Sequence, residues 1–98
     1  MPQTSPRTLR VVMAPDPTDP DTRRILEVLK GTKVPYKIMP WNKGADLWDQ
    51  ALRHRHVNSD ASRNQVLVVA IRNTAVMRAV VCPTNERLLA FVEETRKP

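Results

Sequence analysis

The stretch DPTDPDTRR carries three closely spaced carboxylates, Asp16, Asp19 and Asp21. Carboxylates at alternating positions can converge on a hard cation such as Mg2+ or Ca2+. This loop lacks the glycine and the distal glutamate of a calcium loop, and Pro15, Pro17 and Pro20 stiffen it. The acids are therefore read as helix-starting residues, with no metal expected. Asp19 stands where an N-cap accepts the exposed amides of a first turn, and Pro20 suits the first helical position because no N–H is needed there. Asp21 adds negative charge at the positive end of the helix dipole.

Three other groups could do chemistry. Cys82 is the one cysteine of the chain. A thiolate just before a helix is stabilised, although a lone cysteine at a strand end commonly packs as a small hydrophobe. The run RHRH, Arg53 to His56, holds the densest positive charge. Two histidines two residues apart point to different sides of a helix and cannot share a metal there, whereas in extended chain they could. With Arg63, Arg72 and Arg78 the run forms a candidate basic surface on one side, sufficient for phosphate contacts. Both tryptophans are expected to pack in the core, Trp48 foremost, with Trp41, beside Pro40, as the alternative exposed anchor for a partner.

The totals narrow the classes. The chain has 98 residues, 16 Lys and Arg against 10 Asp and Glu, and a formal charge of +6. That excess favours acidic proteins or polyanions as partners. A single cysteine excludes an intrachain disulfide and a cysteine-only zinc cage. No Gly-rich phosphate loop is present, and Tyr36 with Phe91 does not make an RNA-stacking set. The longest apolar run, Val66 to Ile71, is far short of the ~20 residues of a membrane span, and MPQTSPRT has no apolar signal segment. The expectation is an intracellular, cytoplasmic protein with no membrane partner. Residues 1–7 read as a flexible tail and residues 8–98 as one domain.

The elements that must position these groups follow from pattern. TLRVVMA, stopped by PDPTDP, reads as a short buried strand. A helix follows over about Pro20 to Lys30, with Ile25, Leu26, Val28 and Leu29 apolar and Gly31 as a left-handed stop. KVPYKIMPW, with its prolines, reads as a strand near a sheet edge. Leu47, Trp48, Ala51 and Leu52 place a shorter helix at about Ala45 to Arg55. QVLVVAIRNTAVMRAVV reads as two antiparallel strands broken at Arg72-Asn73-Thr74. Pro83-Thr84 opens a last helix with Leu88, Leu89, Phe91 and Val92 on its buried side. Strand–helix–strand units cross over right-handed to give parallel pairs, and the later hairpin adds antiparallel strands. The fold class is α/β, βαβαββα, with a four-stranded mixed sheet flanked by helices.

DPTDPDTRRILEVLKGTKVPYKI resembles the active-site entry of glutaredoxins, which share the thioredoxin fold. Asp19-Pro20-Asp21-Thr22 stands in place of the family's Cys-Pro-Tyr-Cys, with Asp19 at the nucleophilic cysteine and Thr22 at the resolving one. VLVVAIRNTAVMRAVV followed by PTNERLLAFVEE looks like the family's terminal hairpin and helix. The family's cis-proline before the third strand is missing from SRNQVL, and VVCPTN replaces its Gly-Gly and acidic pair. A carboxylate at Asp19 can cap a helix but cannot form a mixed disulfide. The resemblance thus implies a redox-inactive thioredoxin-like module, not an enzyme and without a cofactor, that binds another protein. Its contact residues would be the old active-site rim, Asp16, Asp19, Asp21, Thr22, Arg23 and Arg24, with the loop Asn58 to Gln65 and Trp41. The alternatives are a small basic nucleic-acid-binding protein using Arg53, Arg55, Arg63, Arg72 and Arg78, and a thiol enzyme based on Cys82.

Overall fold

A computed structural model of the chain describes residues 8–13, 20–60, 64–72 and 75–96. The expected tail, the caps and loop at Asp16 and Asp19, Arg63, and the turn residues Asn73 and Thr74 lie outside the described residues. The elements are β1 (Thr8–Val12), α1 (Pro20–Thr32), β2 (Tyr36–Met39), α2 (Ala45–Arg53), β3 (Leu67–Arg72), β4 (Ala75–Val81) and α3 (Asn85–Arg96). They build an α/β fold with one mixed sheet in the order β2-β1-β3-β4. β1 runs parallel to β2, as the crossover through α1 requires, and antiparallel to β3, which pairs antiparallel with β4.

Strand alternation sorts the apolar residues to two faces. Leu9, Val11, Val66, Val68 and Ala70 meet Ile25 and Leu29 of α1 and Leu88, Phe91 and Val92 of α3. On the opposite face Val12, Leu67, Val69 and Val76 meet Leu47 and Trp48 of α2. The sheet therefore carries two helices on one side and one short helix on the other. Along α3 the buried stripe is Leu88, Phe91, Val92 and Thr95, and Leu89, expected inside, is 47% exposed. Its position one residue after Leu88 rotates it about 100° off that stripe.

α1 runs past the glycine expected to end it. No glycine has a positive φ; the left-handed residue is Lys33, at φ 60°. Gly31 stays inside the helix because the end is closed elsewhere: Thr32 Oγ1 donates to the Leu29 carbonyl at 2.7 Å and accepts from the Val34 N–H at 3.3 Å. At the start of α3, Thr84 Oγ1 accepts from the Arg87 N–H at 3.3 Å, the bond of an N-cap.

α2 ends at Arg53, short of Arg55. The Arg55 N–H donates to Leu52 O at 3.2 Å and the His56 N–H to Ala51 O at 2.9 Å. This pair of bonds is a Schellman turn, with Arg55 at φ 57° where glycine is usual. Pairing of β3 with β4 shifts register between Ala70, opposite Arg78, and Ile71, opposite Val76, so Met77 is an extra residue. Such a bulge reverses the alternation and turns Val76 into the core under α2.

Candidate functional site

Two regions contain the residues whose chemistry the sequence singles out. The first is the start of α1. Asp21 and Arg24 are one turn apart and approach to 3.3 Å, and Arg24 Nη1 also donates to Asn85 Oδ1 at 2.7 Å. The first turns of α1 and α3 are thereby joined at one end of the sheet. Arg23 is exposed, whereas Thr22 is buried at 3% exposure and its Oγ1 has no hydrogen-bond partner among the described residues. Thr22 is therefore packed inward and offers a partner no accessible surface. Trp48 is fully buried, as expected, whereas Trp41 is 37% exposed instead of packed in the core, which leaves it as the candidate anchor.

The second region is the outer edge of β4. A cleft of about 390 Å3 runs beside Ala79, Val80 and Val81, between the segment that follows α2 and the first turn of α3. Arg55 and His56 reach it from the end of α2, Asp60 and Gln65 from the loop before β3, and Arg87 from α3. Arg55 and His56 stand out in the sequence as part of a basic run, whereas Arg87 does not. Its side chain enters only because α3 begins directly after β4, and its first turn therefore flanks that strand.

The expected basic surface is split. Arg78 lies over the Phe91 ring, 5.5 Å from its centroid, and meets Glu94 at 3.5 Å, which places it on the α1 and α3 face. Arg72 shares that face by alternation from Ala70. Arg53, His54 and Arg55 belong to the end of α2, on the other face. The basic residues do not share one side, because Arg78 is held by Phe91 and Glu94 of α3 while the end of α2 lies across the sheet. His54 and His56 also differ from the helical expectation. Because the helix ends before them, their rings come together at 6.2 Å between centroids, tilted by 51°.

Cys82 is half-buried at φ 42°, with its N–H donated to Val66 O at 2.7 Å. Among the described residues no three His, Cys, Asp or Glu side chains gather as a metal site. No described helix is long and apolar enough to cross a membrane.

No protein-family model, curated protein or solved structure matches the chain. The reading of both regions therefore rests on their geometry.

Proposed function

We propose that the chain is a thioredoxin-like protein-binding module that has no thiol–disulfide chemistry. The observation that carries this reading is the layout around α1. Its first turn adjoins the first turn of α3 through Arg24 and Asn85, while α2 is the one helix on the other face among the described residues. In a thioredoxin-like fold that end of α1 holds the reactive thiol pair. Here the corresponding turn contains Asp21 and a buried Thr22, and the single Cys82 has no second cysteine with which to cycle.

Binding remains as the use of that end. Arg23 and the partly exposed Asp21 and Arg24 present mixed charge on a rigid turn. The basic cleft at β4 and the exposed Trp41 extend the surface available to another protein. A nucleic-acid role draws less support, because the arginines it needs are divided between two faces and Arg78 is engaged by Phe91 and Glu94.

The test is to purify the tagged chain from its native cell extract with and without nuclease and compare it with an Arg23→Glu, Arg24→Glu variant. A stoichiometric protein that survives nuclease and is lost from the variant is the expected result. Bound material that disappears with nuclease would overturn the reading in favour of nucleic acid.

A further inference from the structure

The two edges of the sheet are treated differently. β2 is short, and Pro35 and Pro40 flank it immediately outside the strand, which blunts it against pairing. β4 is longer and has no proline from Ala75 to Val81. Its bulge lies at Met77, before the cleft, and from Arg78 to Val81 its pairing with β3 is regular.

The direction of the free backbone groups there follows from one bond. The Cys82 N–H donates to Val66 O, so this opposed pair is of the hydrogen-bonded kind. Hydrogen-bonded and non-hydrogen-bonded pairs alternate along an antiparallel ladder. Val80 opposite Val68 is then hydrogen-bonded to β3, whereas Val81 opposite Leu67 and Ala79 opposite Val69 are not. The N–H and C=O groups of Ala79 and Val81 therefore point away from β3, toward the cleft. Among the described residues, no backbone bond joins either of them to the loop across it.

Charge on the walls completes the site. Arg55 and Arg87 both line the cleft, and neither has an ion-pair partner among the described residues. Among the described residues Asp60 is the one carboxylate on the wall, so Arg55 and Arg87 leave an excess of one positive charge there. Arg55 comes from α2 on one face of the sheet and Arg87 from α3 on the other. A strand laid against β4 sends successive side chains to opposite faces.

We infer that the open edge of β4 accepts an extended acidic segment of a partner protein as a fifth strand. The main chain of that segment pairs with Ala79 and Val81, and two consecutive carboxylates reach Arg55 and Arg87. This deepens the protein-binding reading and rests on it. A second copy of the chain fits less well, because it would bring a like-charged, net-basic surface to the same edge.

The experiment titrates the isotope-labelled full chain, followed by amide NMR and hydrogen exchange. The probe is a capped valine–threonine peptide with two consecutive glutamates at its centre. The expected result is slowed exchange at Ala79 and Val81, with binding that weakens as salt rises. Glutamine in place of the two glutamates should weaken the response roughly fivefold and remove its salt dependence. Arg55→Ala with Arg87→Ala should weaken binding roughly fivefold, and Asp60→Asn should tighten it. A peptide N-methylated at the residues facing β4 should not bind; since it is used with the unaltered protein, this control is independent of any variant's folding. The inference is overturned if the N-methylated peptide binds equally well, if the shifts fall at Asp21 to Arg24 instead, or if Ala79 and Val81 are already protected in a peptide-free dimer. A partner whose capture depends on Arg23 and Arg24 but not on this edge would sink the edge inference alone, whereas capture of nucleic acid only would sink the protein-binding reading beneath it.

Discussion

A β-carbon on Gly44 would sit 2.5 Å from Val12 Cγ1 and 2.8 Å from Val12 Cγ2. Gly44 precedes α2 at φ −94° and ψ 3°, a conformation open to any residue, so its smallness serves contact with β1. Gly44→Ala should destabilise the protein by about 1–3 kcal/mol, the usual cost of overpacking, and lower the thermal midpoint accordingly. Combining it with Val12→Ala should recover part of that loss, although Val12→Ala alone is destabilising. Purely additive losses in a double-mutant cycle would show that the contact is not the cause.

Gly31 shows the opposite case. A β-carbon there meets nothing within 4 Å, and the residue lies inside α1 with negative φ. Gly31→Ala should stabilise by about 0.5–1 kcal/mol through helix propensity and unfolded-state entropy. Denaturant unfolding with an unchanged m-value would check it, and a loss of stability would mean that the helix end needs a glycine after all.

Arg55 occupies a left-handed conformation that costs an ordinary side chain about 1–2 kcal/mol. Arg55→Gly should therefore raise stability by about 1 kcal/mol while weakening acidic-peptide binding at the β4 edge. Opposite signs in the two measurements separate the residue's backbone role from its charge. A drop in both would indicate that the guanidinium also holds the turn.

Thr22 buries a hydroxyl that has no partner among the described residues. Valine has the same shape without the hydroxyl, and helix propensities of the two are close. Thr22→Val should stabilise by about 1 kcal/mol, because an unsatisfied buried polar group is removed. A destabilised variant in urea titration would show that the hydroxyl is satisfied in solution.

These residues also show how far sequence alone could reach. The start of α1, the edge position of β2, the hairpin and the burial of Trp48 were legible because each follows from local pattern: a proline at a helix start, prolines around a strand, apolar spacing. The extension of α1 through Gly31 was not, because glycine is the usual stop and the Thr32 hydroxyl that replaces it acts only once the chain has turned. Nor was the bulge at Met77, since AVMRAVV reads equally well as unbroken alternation. That one inserted residue sets the facing of Val76 against Arg78. In the candidate site, Arg55 and His56 were visible as charge, but Arg87 reads as an ordinary residue of an exposed helical face. Only the packing of α3 beside β4 brings it to the cleft.

Trp48 and Trp41 give the molecule two built-in optical reporters. The indole of Trp48 lies wholly inside the layer under α2, its Nε1–H without a partner among the described residues, whereas Trp41 is partly open to water. Emission from Trp48 should be blue and shielded from iodide, and emission from Trp41 red and quenchable. Among the described residues, the nine-residue α2 is the sole helical cover on its side of the sheet. If that cover lifts before the rest of the fold gives way, the blue component moves first and the protein announces the loosening of one face in its own light.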